Sequence, residues 1–240
     1  MKKIVFSKGA RKLLIYILIW AVLYPFLYVA QFLIPGVGYV INPMHAAAYA
    51  GLTPIVWVLS YMGLKDAEIP GIKGGCGKPI ELAIRKERLG TIGVLIDRGA
   101  DLTTCNGTVL ELSVEHPKVL AYLLGKKGID PNFVGDASSH GRGMSQNNAI
   151  FGTLRCRYGA PDDPHTRAIT ESLNIFLDYG VDPNVISLDK RHLPVLAAAA
   201  LMNCSNIVPI LLKRGADPIL ADKALRRVFA SYEAEKDKYD

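Results

Sequence analysis

The chain has 240 residues, half of them hydrophobic, and a formal net charge of +6. Five cations lie within the first twelve residues, which leaves the remainder at 6 − 5 = +1: Lys2, Lys3, Lys8, Arg11 and Lys12. A basic excess confined to one end argues against a nucleic-acid-binding face, which would carry its cations on folded structure. The length alone allows one or two domains.

An uncharged segment, Leu13–Ile34, follows this basic cluster directly. A bilayer core of about 30 Å needs about 20 apolar residues in a helix, and membrane helices tolerate a proline such as Pro25. The segment therefore predicts a transmembrane signal-anchor helix. Two alternatives stay open: a cleaved signal peptide, whose apolar region is usually about 7–15 residues long, and a buried soluble helix.

The position of the cations predicts the orientation of this anchor. Because Lys and Arg favour the cytoplasmic side of a membrane, residues 1–12 are expected in the cytoplasm and the rest of the chain outside it. In a Gram-negative cell the chain would be single-pass in the inner membrane, with its folded part in the periplasm. A short linker, 35–41, then leads into a first helix pair that carries almost no charge, which suggests that the membrane or the anchor covers it.

A Gly-x-Asp signature recurs along the folded part, each time after an apolar helical stretch. It stands at Gly99-Ala100-Asp101, Gly128-Ile129-Asp130, Gly180-Val181-Asp182 and Gly215-Ala216-Asp217. The gaps are 128 − 99 = 29, 180 − 128 = 52 and 215 − 180 = 35 residues. Such a glycine commonly ends a helix at its C′ position, so the signature predicts one helix pair per repeat, with an insertion in the longest gap.

The helix that opens each repeat also recurs. It reads Asn42-Pro43-Met44-His45-Ala46-Ala47, then Lys78-Pro79-Ile80-Glu81-Leu82-Ala83, then Thr108-Val109-Leu110-Glu111-Leu112-Ser113. In the stretch Leu193–Asp217 a thin helix with Ala198 and Ala199 ends at Asn203, and an apolar second helix ends at Gly215. The small alanines predict a tight contact with a neighbouring helix.

These features resemble the ankyrin-repeat family, whose pattern is Thr-Pro-Leu-His-x-Ala-Ala, a glycine, an Ile-Val-x-x-Leu-Leu helix and Gly-Ala-Asp. The resemblance implies an all-α ankyrin-repeat solenoid of about five helix pairs over 42–218. Stretches without apolar periodicity predict loop insertions at 133–146 and 155–166. A capping helix is expected at 219–232, followed by a charged tail at 233–240. The repeat that begins near Asn147 departs most from the pattern.

Catalytic chemistry is not expected. The sequence has no nucleophile elbow, phosphate-binding loop or zinc spacing, and it predicts no enzyme, no cofactor and no metal site. His45 takes the position at which the family carries a structural histidine. Asp162, Asp163 and His165 could together bind a cation, but they fit a solvated turn better because no spacing rule selects them.

Four cysteines are present, and an oxidising compartment would allow them to pair. Cys156 and Cys204 fall at the same end of adjacent helix pairs, so a disulfide between them is plausible. Cys76 and Cys105 lie in neighbouring hairpin loops and form a second candidate pair. The alternative is four free thiols.

The binding surface is expected at the insertions, because solenoid insertions map to loops and often to the binding face. The candidate protein-binding residues are His140, Arg142, Arg157, Tyr158, Asp162 and His165. Tyr and Arg are common at interface hot spots.

The expected partner is another protein, with the membrane contacted through the N-terminal helix and no nucleic acid bound. By analogy with small anchored ankyrin proteins of bacteria, the chain could be an immunity protein that neutralises a secreted toxin. The alternative is a structural or assembly partner of a membrane enzyme or transporter.

Overall fold

The computed structural model describes residues 43–63, 77–104, 107–132, 134, 148–155 and 163–236. The predicted anchor, its linker and much of both predicted insertions lie outside these residues. Within the described ranges, no helix has both the length and the hydropathy needed to cross a bilayer. The chain divides into two compact units, Met1–Ala100 and Asp101–Asp240.

The first unit consists of two antiparallel helix pairs. Its helices are α1 (Pro43–Ala50), α2 (Thr53–Tyr61), α3 (Pro79–Arg85) and α4 (Leu89–Asp97). Helices α1 and α3 pack together, as do α2 and α4, so corresponding helices of successive repeats lie side by side. Prolines stand in the first turns of α1, α2 and α3, where a missing N–H leaves no helical hydrogen bond unmade.

Small and branched apolar side chains fill the core of this unit. Ala47, Ala48 and Ala83 are fully buried on the inner helices, where their small volume allows close helix contact. The hydroxyls of Thr53 and Thr91 hydrogen-bond each other at 3.0 Å across α2 and α4. This bond satisfies the buried Thr91, which a purely apolar contact would leave unpaired.

The second unit continues the helix pairs with more irregular first members. Its elements are β1 (Thr103–Thr104), β2 (Gly107–Thr108), α5 (Val109–Leu112), the 3₁₀ helix η1 (Ser113–Glu115), α6 (Pro117–Leu124), the 3₁₀ helix η2 (Ala149–Leu154), α7 (Pro164–Asp178), α8 (Val195–Leu201), α9 (Val208–Lys213) and α10 (Pro218–Lys236). Strands β1 and β2 pair as a short antiparallel hairpin. Helix α8 packs against η2 on one side and α10 on the other.

The outer helices α6 and α7 pack against each other, and polar side chains join α7 to the α9 region. Ile169, Leu173 and Phe176 of α7 are buried. On the surface, Arg214 bridges Asp178 at 2.7 Å, and the Asn206 amide donates to the Thr170 hydroxyl at 3.0 Å. The polar pairs fix how α7 and the α9 region meet, while the buried side chains supply most of the stabilisation.

All four signature glycines adopt the left-handed conformation, with φ between 79° and 94°. Gly99, Gly180 and Gly215 stand at C′ of α4, α7 and α9, as the sequence predicts. Gly128 differs, because α6 already ends at Leu124 and the glycine belongs to the turn that follows. A side chain at any of these φ values would be strained.

The aspartate of the signature has its own structural role. The carboxylates of Asp130, Asp182 and Asp217 each accept the backbone N–H two residues later at 2.8 Å. Each aspartate therefore forms the same Asx turn, which starts the connection to the next repeat at Asp130 and Asp182 and directly precedes α10 at Asp217. Asn184 then links two repeats, because its side chain bonds both the Gly215 carbonyl and the Asp217 N–H.

The expected insertion at 155–166 is too long at its C-terminal end. Helix α7 begins at Pro164, and the Asp163 carboxylate accepts the N–H groups of His165 and Thr166 at 3.1 Å. An aspartate cap followed by proline at the first helical position is a strong helix start, so residues 164–166 are helical. At the other end of the unit, the helix expected at 219–232 corresponds to α10, which runs from Pro218 to Lys236.

Candidate functional site

A surface groove of about 180 Å³ lies in the second unit beside α8, and we name it the α8 groove. Four stretches of chain line it: α5, η2 with Arg155, the loop before α8, and α8 itself. The lining residues are Glu111, Phe151, Gly152, Leu154, Arg155, Ser187, Asp189, Arg191, Leu193, Ala198, Leu201 and Met202.

One wall is an ion pair between neighbouring repeats. Arg155 lies 3.3 Å from Glu111 and 3.8 Å from Glu115. Burial raises the pKa of Glu111, and the charge and hydrogen bond of Arg155 only partly offset this. The pair can form because η2 packs closely on α5 and η1: a Cβ on Gly152 would lie 3.2 Å from Glu111 of α5 and 3.0 Å from Val114 of η1. Arg155 lines the groove and is about half exposed, while the Glu111 side chain is nearly buried.

The opposite wall is the loop 185–194, which an antiparallel bridge between Ile186 and Pro194 closes into a hairpin. Asp189 organises its tip. Its carboxylate accepts from the Ser187 hydroxyl at 2.7 Å and pairs with the Arg191 guanidinium at 3.1 Å. Burial alone would raise the pKa of Asp189, but the hydrogen bonds from Ser187 and Arg191 outweigh it and hold the pKa below its ordinary value.

Helix α10 contacts this hairpin through the side chain of Arg227. The Arg227 guanidinium donates to the carbonyl oxygens of Arg191 and His192, both at 2.9 Å. His192 has a φ of 47°, a conformation that leaves its backbone strained without such support. The hairpin is therefore anchored by its own aspartate and by a cation from the terminal helix.

The floor of the groove is apolar and partly exposed. Leu193 is buried, whereas Leu201 and Met202 at the end of α8 are 39% and 55% exposed. Ala198 also lines the groove, so it does not lie wholly in the tight helix contact expected from the sequence. Ala199 is fully buried and meets that expectation. An alanine at 198 leaves room for the groove that a larger side chain would fill.

This arrangement suits binding better than catalysis. Two arginines with exposed guanidinium groups flank an apolar strip that contains a flexible methionine, and both Arg and Met are enriched at protein interfaces. In the part of the chain that the structure describes, no group of three or more His, Cys, Asp or Glu residues could hold a metal ion.

The structure places only one of the predicted binding residues. His165 lies in the first turn of α7 and not in a loop, because Asp163 caps the helix before it. Its Nε2 is buried and has no hydrogen-bond partner among the described residues. The other candidates, His140, Arg142, Arg157, Tyr158 and Asp162, lie outside those residues, and their role stays a prediction.

The groove residues Arg155, Arg191 and Met202 were not predicted. Arg155 stands at the start of a predicted insertion, and Arg191 follows the sequence Leu188-Asp189-Lys190, which looks like an ordinary polar loop. One feature of the sequence does indicate this hairpin tip: the spacing Ser187-x-Asp189-x-Arg191 is typical of a turn that side chains stabilise.

Cys204 is buried and disulfide-bonded. Its Sγ lies 3.6 Å from the Leu154 carbonyl oxygen, two residues before Cys156 in the sequence. Cys76, Cys105 and Cys156 all lie outside the described residues. Both candidate pairings, Cys156 with Cys204 and Cys76 with Cys105, therefore stay predictions.

No family model matches the sequence, and a search of curated proteins finds no match. Among solved structures, the fold is similar to the ankyrin repeat domain of Bcl-3, described as a unique member of the IkappaB protein family. The TM-score is 0.54 at 20% sequence identity, over 73% of this chain and 72% of that one. Together with the stacked helix pairs and their repeated Gly-x-Asp turns, this similarity shows that the chain has an ankyrin-repeat fold.

Proposed function

We propose that the chain is a membrane-anchored protein-binding module that presents the α8 groove outside the cytoplasm. The observation that carries the binding role is the groove itself, an exposed apolar strip between two arginines that are each held by a carboxylate. Ankyrin-repeat folds commonly bind proteins through extended repeat surfaces. The residues on such a surface, and not the fold itself, determine which partner is bound.

The anchoring role is supported by the uncharged segment Leu13–Ile34 and by the five cations that precede it. A bacterial alkaline phosphatase fused after Lys236 tests the topology, because this enzyme is active only outside the cytoplasm. We expect an active fusion in cells. Inactive phosphatase together with a fluorescent cytoplasmic reporter at the same position would place the repeats inside.

The narrower form of the proposal is an immunity protein whose partner is a secreted toxin. Membrane anchoring supports it, because a module held at the membrane could meet a toxin before it reaches its target. The alternative partner is a membrane enzyme or transporter that the chain helps to assemble. Identification of the captured protein distinguishes the two.

The binding test compares two arginines that share their local chemistry. Arg191 pairs with Asp189 at the groove, and Arg226 pairs with Asp222 at 2.8 Å on the exposed face of α10. Arg191→Ala should weaken partner capture from cell membranes by about fivefold, equivalent to about 1 kcal/mol, whereas Arg226→Ala should leave it unchanged.

Thermal melting of both variants provides the control, since Arg191 also stabilises its own hairpin. Unchanged capture by Arg191→Ala would exclude this wall of the groove from the binding site. A loss of capture that matches a loss of folded protein would assign Arg191 a structural role only.

A further inference from the structure

The first unit exposes several aromatic and apolar side chains on helices α1 and α2 and on the residues that flank α2, and the protein-binding role does not use them. We name this set the aromatic patch, and it consists of Tyr49, Leu52, Trp57, Tyr61 and Met62. The rings of Trp57 and Tyr61 stack with centroids 5.8 Å apart and an angle of 12° between their planes. Tyr61 is 73% exposed and Met62 is 66% exposed, so the stack does not fill a core.

Cations sit on the rings of this patch. The Arg98 guanidinium lies 5.2 Å from the Trp57 ring centroid and 6.0 Å from that of Tyr61. The Lys86 ammonium lies 4.8 Å from the Tyr49 centroid. In each case the charged group itself lies over the ring, which is a cation–π arrangement.

The surrounding sequence lacks the features that usually keep a terminal repeat in water. Residues 43–63, which form α1 and α2, contain no Asp, Glu, Lys or Arg. A terminal repeat of a soluble solenoid normally presents a polar outer face. Tryptophan and tyrosine combined with basic residues are instead typical of the interface between lipid headgroups and acyl chains.

The connection to the proposed anchor limits where this patch can lie. Eight residues, 35–42, separate the end of the apolar segment from the start of α1. Fully extended, they span at most about 28 Å. The first helix pair is thus held near the bilayer surface, where its aromatic rings would meet headgroups and its cations would meet anionic lipid.

We propose that the aromatic patch is a second membrane contact, which seats the first repeat on the surface of an anionic phospholipid bilayer. The inference rests on the membrane anchoring proposed above. The occupant is lipid and not a protein, because exposed aromatic rings and cations are present together, as at membrane interfaces, and α1 and α2 themselves carry no charged side chain.

The chain contains two tryptophans, so Trp20→Phe leaves Trp57 as the only indole. This full-length variant is reconstituted into vesicles of phosphatidylcholine and phosphatidylglycerol, with or without lipids brominated near the headgroup end of their acyl chains. Bromine quenches indole fluorescence only on contact. We expect about twofold or greater quenching of Trp57 by the brominated lipid and little quenching by aqueous iodide.

Two further substitutions, each added to the Trp20→Phe variant, distinguish a lipid contact of the patch from an effect that any new surface charge would have. Tyr61→Glu places a charge in the patch and should reduce the bromine quenching of Trp57 at least twofold. Phe229→Glu changes another exposed aromatic residue, on α10, and should leave the quenching unchanged. Circular dichroism of each variant checks that its helical content is retained.

Flotation of the vesicles reports the anchor separately. If the chain floats and Trp57 is quenched by iodide but not by bromine, the patch faces water and the proposal is wrong while the anchoring holds. If Trp57 resists both quenchers, protein covers the patch and the lipid contact is again excluded. If the chain does not float, both the anchor and the patch contact are excluded.

Discussion

Asn203 shows how single residues shape the repeats of this chain. It ends α8 with a φ of 55°, a left-handed conformation that asparagine tolerates better than most residues. Gly51 and Glu87 occupy the equivalent turns after α1 and α3, with φ values of 76° and 53°. In these three pairs the turn between the helices adopts positive φ whichever residue the sequence supplies, whereas the turn before α6 passes through His116 with a φ of −129°.

Glu111 gives a residue-scale prediction about pH. Because burial raises its pKa, Glu111 holds its proton more tightly in the folded protein than in the unfolded chain. Its contribution to stability is fully present below the unfolded pKa and is lost as the pH rises through the raised folded value. Relative to Glu111→Gln, wild type should therefore gain thermal stability as the pH falls towards 4.5. Melting curves of the two full-length proteins in detergent, measured across this range, provide the test.

Glu115→Gln supplies the control, since Glu115 contacts the same Arg155 from an exposed position and its replacement leaves Glu111 in place. That variant should keep the wild-type profile. A difference between wild type and Glu111→Gln that widens in the opposite direction would show that Arg155 outweighs the cost of burial.

The alanines of helix α8 lie on different faces of the helix, and one of these faces lines the α8 groove. Ala199 is fully buried, Ala200 is exposed, and Ala198 lies at the groove. Ala199→Leu should destabilise the protein by about 1–3 kcal/mol, since a larger side chain overpacks the contact with neighbouring helices. Ala200→Leu adds the same atoms on the solvent side and should change stability by less than about 0.5 kcal/mol. Chemical denaturation of both variants measures the two effects, and equal losses would mean that α8 is rotated from its described position.

The sequence contains enough local signal to predict most helices of the fold. Helix-ending glycines, apolar periodicity and first-turn prolines each have a local physical cause, and together they place the helix pairs. The pair Asp163-Pro164 is a helix-start signal and indicates where α7 begins. The predicted insertion at 155–166 runs past this signal, so its C-terminal bound is wrong. At the element scale, the errors concern boundaries and the turn at Gly128.

The α8 groove was not predictable in the same way. Glu111, Arg155 and Arg191 meet because α5, η2 and the hairpin before α8 belong to successive repeats, and their register depends on how those repeats pack. Periodicity shows which face of a helix is buried, but it does not show which surface side chains of different repeats become neighbours. The hairpin tip also depends on Arg227 of α10, a contact between residues far apart in the chain.

At the scale of the whole molecule, two surfaces divide the proposed work. We propose that the aromatic patch of the first unit contacts the membrane and that the α8 groove of the second unit binds the partner. If the proposed binding role is right, the α8 groove is the region that contacts the partner.

Site-specific photocrosslinking tests that claim most directly. A benzophenone amino acid is introduced at Met202 in the groove or at Leu212 on α9, two exposed apolar positions of the same unit. After irradiation of living cells, we expect one discrete protein adduct from position 202 and none from position 212. Adducts at 212 but not at 202, from variants with wild-type melting, would contradict the account and move the binding surface to the outer helices.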